Sequence, residues 1–282
     1  MIRVLSGAGL IAFAVVVVWY PGVPIFFEAV AFALLSLAVF ELSALFTASG
    51  VRVPLLPTFG CALLTLASFS GLLSDLVSFG GSELSLDVVL IAGLIATAVV
   101  LLTAGRGGSD ALTTVSASLF PSLYLAIPIG AIVAIRESGG LQDPTWRGPK
   151  LLSLLMVTVI VSDTAQYYTG RLMGRRLLAP TVSPKKTIEG AIGGLVFGAA
   201  VFALVGRWWL PVVRPIPRVA LGIGIVLVGI AGDLFESMLK RSAGVKDSSH
   251  IIPGHGGVLD RIDALLFAAP FFYVVGRFIR LG

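Results

Sequence analysis

Charge is scarce in this chain. Asp, Glu, Lys and Arg make up 12% of its 282 residues, against roughly a quarter in soluble domains. With 57% of the residues hydrophobic, no water-soluble fold could hide the apolar surface. Cysteine is nearly absent too: Cys61 is the only one, which excludes a disulfide framework and any paired-cysteine redox or metal motif. Set in an apolar run, it reads as a small buried hydrophobe. Only two histidines, His250 and His255, are present, and with no cysteine nearby they argue against a zinc site. Internal repeats and low-complexity linkers are also missing.

What remains is a succession of apolar windows. A bilayer core about 30 Å thick takes about 20 mostly apolar residues per helical crossing. Windows bounded by Gly, Pro and charge clusters fall near residues 4–20, 25–46, 54–79, 86–104, 110–134, 150–170, 188–208, 217–238 and 262–279. The expectation is an all-α polytopic integral membrane protein with about nine transmembrane helices. The second window contains Glu28 and Glu41, which blur its boundaries. The first, after Met1-Ile2-Arg3, has no small-residue cleavage site behind it and reads as a retained helix rather than a removed signal.

The formal net charge of +5 does not point to nucleic acid. Lys and Arg sit mainly in short connections, where they set topology and meet anionic headgroups. With the N-terminus inside, twelve of the twenty fall on the cytoplasmic side, a modest bias of the expected sign. Under that count the connections before the seventh and ninth windows share the cytoplasmic side. Both look chemical.

Residues 1–148 form an N-terminal set of membrane helices without identifying chemistry, whereas residues 149–282 place ionisable groups inside apolar segments, where each is costly unless paired or hydrated. Asp163, Gln166, Tyr167 and Gly170 share a helical face. It is either a functional polar face or an interfacial acid bonded by a neighbouring Tyr. Next, Ser183-Pro184-Lys185-Lys186-Thr187 reads as a helix start, Ser183 as N-cap and Pro184 as first helical residue. Amides, helix dipole and two lysines would then converge on an anion; plain topological anchoring is the competing account.

Asp233, Glu236, Ser237 and Lys240 fall on one face of the eighth window. The carboxylates need a partner, either Lys240 in a salt bridge or a divalent cation. The following loop, with Lys246, Asp247, His250, Gly254, His255, Gly256 and Gly257, leads to Asp260, Arg261 and Asp263. Its glycines would let backbone amides approach a bulky anion. If the flanking helices are antiparallel neighbours, Asp233 and Asp260 can face one cation. His255 is a ligand, a phosphate donor or a plain turn residue.

The run Ser237-x-Leu239-Lys240-Arg241, four residues, Lys246-Asp247, then His255-Gly256-Gly257-x-x-Asp260-Arg261-x-Asp263 resembles the signature of phosphatidate cytidylyltransferases without a gap. The Asp163–Gly170 and Ser183–Gly190 stretches are similar to that family as well. The resemblance implies a multi-span enzyme of the bacterial plasma membrane, often a homodimer, with a cytoplasmic active site. It would use Mg²⁺, with a second cation as an option, to transfer CMP from CTP to phosphatidate, giving CDP-diacylglycerol and pyrophosphate. It places the metal on Asp233 and Asp260, and Glu236 and Asp263 are candidate further ligands. Lys240, Arg241, Lys246 and Arg261 would neutralise phosphates, with Ser183, Lys185 and Lys186 as a second phosphate subsite. Ser237, Gly256, Gly257 and Asp163 complete the expected substrate surface, while Asp247 and His255 either touch substrate or hold the loop in shape. The rivals are a related CTP-using lipid transferase or kinase with another acceptor, and an ion-coupled transporter whose Asp163, Asp233 and Asp260 line a cation path.

Overall fold

The computed structural model describes residues 2–20, 24–70, 85–104, 110–138, 146–249, 251 and 256–279. Helices dominate: α1 (Ile2–Trp19), α2 (Pro24–Ala48), α3 (Leu55–Ala67), α4 (Leu86–Thr103), α5 (Asp110–Glu137), α6 (Arg147–Met173), α7 (Ile188–Trp209), α8 (Pro215–Ser242) and α9 (Leu259–Phe278). Each apolar window read from the sequence overlaps one of these helices. Six of these helices, α2 and α4 to α8, are long and apolar enough to cross a membrane. Among the described residues six helices qualify, so the expected count of nine crossings is not reached. α3 is 13 residues long, the rest of its window, 71–79, lies outside the described residues, and α9 carries Asp260, Arg261, Asp263 and Arg277.

The chain folds as two compact units, Met1–Ala134 with Ser242–Arg261, and Ile135–Arg241 with Ile262–Gly282. In the first, Leu35, Ala38, Val39, Leu42, Leu66 and Leu125 are almost fully buried. Pro121 sits inside α5, where a missing N–H and ring bulk disrupt the helical ladder. The turns after it, Ser122–Ala126, widen to π geometry, which accommodates such a defect. In the second unit, Leu154, Leu155, Phe202, Ile225 and Phe272 are buried, and Phe202 meets Phe272 edge to face at 5.9 Å.

Large apolar side chains also point outward from the same helices, Leu102 at 80% and Leu172 at 79% exposure among them. In water such faces would drive aggregation; against lipid they are the ordinary surface of a spanning helix.

One expectation about local structure is corrected. Ser183-Pro184 does not start a helix: Ser183–Thr187 forms strand β2, paired antiparallel with β1 (Leu177–Ala179). α7 begins at Ile188, and its N-cap is Thr187, whose hydroxyl accepts the Gly190 N–H at 3.1 Å. A two-stranded hairpin has only edges, so Pro184 costs no interior ladder bond. Glu189 secures the hairpin, its Oε2 accepting the N–H groups of Arg175 (2.9 Å) and Arg176 (3.2 Å).

Candidate active site

In the second unit the sequence scatters three acids over three helices, and the fold gathers them around one lysine. Asp163 lies on α6, Asp233 on α8 and Asp263 in the first turns of α9. Lys186 reaches from β2 into an ion pair with Asp233. Asp163 and Asp263 both feel the charges of Asp233 and Lys186. Three acids thus stand near one lysine. Asp163 also accepts a hydrogen bond from Gln166 Nε2 at 3.1 Å, so the neighbour that bonds it is that Gln, while Tyr167 is exposed.

Gly232 makes this gathering feasible. A Cβ there would lie 2.7 Å from the Asp263 carbonyl and 3.1 Å from Phe267 Cβ, so only glycine lets α8 and α9 come this close. One turn further along α8, Glu236 is fully buried and ion-paired to Lys240 at 2.5 Å. The carboxylate stripe thus finds two lysines, each acid with its own. Arg241, exposed at the end of α8, donates from Nε to the Val182 carbonyl at 3.4 Å, touching the turn of the hairpin. Ser237 is half-buried on the same helix, Ser183 half-buried on β2, and Lys185 exposed.

The first unit contains the loop after α8. Lys246, Asp247 and Arg261 are exposed. Asp260 turns its carboxylate back onto the loop: Oδ2 accepts the Ser248 N–H (3.1 Å) and the Gly257 N–H (2.8 Å), and lies 3.0 Å from the Ser248 hydroxyl oxygen. Gly256 has φ +79°, a left-handed turn that suits glycine. Gly257 is buried, and its amide serves Asp260. His255, together with His250 and Gly254, lies outside the described residues.

Sequence reasoning missed one residue of this arrangement. Glu41, on α2 and 1% exposed, accepts four hydrogen bonds: from Ser248 Oγ (2.9 Å) and the Leu259 N–H (2.8 Å) on Oε2, and from Ser249 Oγ (2.6 Å) and the Val258 N–H (2.9 Å) on Oε1. A signal was present. An acid inside an apolar span is a functional hypothesis by default, and the argument applied to Asp163 applied equally to Glu41.

The donors on offer to a metal are carboxylate oxygens, the set preferred by hard cations such as Mg²⁺. Among the described residues no three His, Cys, Asp or Glu converge as a ready-made metal cage.

Helices long and apolar enough to cross a membrane, holding acids and lysines among their residues, define an integral membrane protein. The chain belongs to the cytidylyltransferase family, whose model matches residues 1–279. Among curated relatives, the phosphatidate cytidylyltransferase of Haemophilus influenzae is 43% identical over 148 residues, 51% of either chain. That of Pseudomonas aeruginosa is 44% identical over 140 residues, 46% of this chain and 52% of the relative. The uncharacterized protein YnbB of Escherichia coli is 34% identical over 205 residues, 72% of this chain and 67% of the relative. The match to the Haemophilus relative thus spans about half the length of each chain.

Proposed function

We propose that this protein transfers CMP from CTP to phosphatidate, giving CDP-diacylglycerol and pyrophosphate, at the cytoplasmic face of a bacterial plasma membrane. The observation that carries this reading is the gathering of Asp163, Asp233 and Asp263 around Lys186 in a chain matched over residues 1–279 by the cytidylyltransferase family. The relatives named for phosphatidate support the choice of acceptor.

In the proposed reaction a phosphate oxygen of phosphatidate attacks the α-phosphorus of CTP. The bond from that phosphorus to the bridging oxygen of the β-phosphate breaks, and pyrophosphate departs with the electron pair. The nucleophile is already ionised, so little proton removal is needed. The obstacle is to bring two polyanions together and to stabilise charge on the leaving group. Asp233 and Asp260, each in its own unit, are the proposed Mg²⁺ carboxylates, and the ion would supply Lewis-acid neutralisation of the triphosphate. Asp263 stands beside Asp233 as a neighbouring acid, while Glu236 is engaged by Lys240. Phosphate contacts then fall to the exposed cations, Lys185, Arg241, Lys246 and Arg261, with the exposed Asp247 beside Lys246. Lys186 holds Asp233 until metal and nucleotide arrive.

The test is an assay of purified protein in detergent with CTP, phosphatidate and Mg²⁺, following pyrophosphate and CDP-diacylglycerol together. Equal amounts of both, lost on adding EDTA, are expected. Product formation with a different lipid acceptor but none with phosphatidate would change the substrate. CTP left intact with every acceptor would overturn the reading.

A further inference from the structure

A stretch of 207 residues separates Glu41 from Ser248, yet the loop after α8 is shaped around this one carboxylate. Glu41 takes donors from both ends of the loop, the Ser248 and Ser249 hydroxyls on one side and the Val258 and Leu259 amides on the other. A carboxylate offers about four lone-pair sites, and these four donors fill them. The two amides open α9, so the place where an anionic ligand could meet that helix end is taken by the protein itself. Gly257 is needed for the same reason. A Cβ there would stand 2.6 and 2.7 Å from the two Glu41 oxygens.

The second consequence concerns Asp260. Ser248 Oγ lies 2.9 Å from Glu41 Oε2 and 3.0 Å from Asp260 Oδ2, and a hydroxyl has a single proton to donate. When it donates to Glu41, the Ser248 oxygen faces Asp260 lone pair to lone pair. A cation on Asp260 relieves that opposition. We propose that Glu41 is a positioning residue: it ties Ser248 and Ser249 to the start of α9 and draws the Ser248 proton to itself, leaving Asp260 disposed to bind a divalent cation. This rests on the cytidylyltransferase reading above.

The experiment compares wild type, Glu41→Gln, Glu41→Asp and Ser248→Ala in detergent, with Glu28→Gln as control. Glu28 is a second buried acid of α2, bonded by Ser70 at 2.6 Å. The first readout, amide exchange at Val258 and Leu259, requires no turnover. Glu41→Gln has one acceptor oxygen in place of two, so exchange there should quicken at least tenfold, while Glu28→Gln matches wild type. The second readout is the Mg²⁺ dependence of product formation. Glu41→Gln should raise the half-saturating Mg²⁺ concentration about tenfold and lower kcat; Glu41→Asp should recover part of both. Ser248→Ala, which keeps Glu41 and both amide bonds, should shift the Mg²⁺ requirement in the same direction and serves if Glu41→Gln fails to fold. Unaltered exchange would overturn the proposal, and so would quickened exchange with an unaltered Mg²⁺ profile, which marks a purely structural contact. An inactive wild type would instead overturn the functional reading, leaving exchange to decide whether Glu41 holds the loop.

Discussion

Lys240 and Lys246 lie six positions apart, and the fold gives them opposite employment. Lys240 is buried against Glu236, which has no exposure at all. Removing one partner of such a pair strands the other, at a cost of about 3–5 kcal/mol. Lys240→Met should therefore lower the thermal unfolding temperature in detergent sharply, and adding Glu236→Gln should restore much of the loss. Lys246 is exposed, and Lys246→Ala should leave unfolding unchanged while cutting kcat/KM by more than tenfold, or more than about 1.4 kcal/mol in transition-state stabilisation. Asp260→Asn should abolish turnover with the protein still folded. The Glu236–Lys240 pair was legible in the sequence as one of two alternatives, because an i, i+4 spacing brings the two side chains together. The partner of Asp233 was not. Lys186 is 47 residues away, and no periodicity links a strand residue to an acid on a helix.

At the scale of elements, hydropathy located the helices of the described residues, because a bilayer imposes a long apolar run on any crossing. Local signals failed where a non-local pairing competed with them. Ser183-Pro184 has the residue types of a helix start, but β1 offers Ser183–Thr187 a strand partner, and the start passes to Thr187. The two assignments separate in unfolding experiments. Thr187→Ala should cost about 1 kcal/mol through the lost cap, whereas Ser183→Ala should leave stability unchanged. The π turns of α5 escaped for a related reason. Pro121 announces a defect, but how the helix absorbs it depends on what packs around it.

For the molecule as a whole, the sequence offers little to identify residues 1–134, yet the loop of residues 242–261 folds with them. Hydrophobic composition hides such a role, since one acid among many apolar residues looks like noise. Sidedness follows from the order of crossings. Lys185 precedes α7, Val212 lies between α7 and α8, and Asp247 follows α8. Cysteines placed at 185 and 247 should label from one side of the membrane and a cysteine at 212 from the other. The native Cys61, 4% exposed, gives a silent background.

The reach of Glu41 across the chain has a consequence for biosynthesis. α2 is made early, while the amide of Val258 follows 217 residues later, about 10–40 s at ordinary rates of translation. For that interval the nascent helix must reside in the membrane with its acid lacking the donors that eventually enclose it, at an insertion cost of about 2.5–3.5 kcal/mol if it behaves as Asp does. The contacts to Glu41 are complete only once Leu259 has been made, so until then the buried acid waits without them.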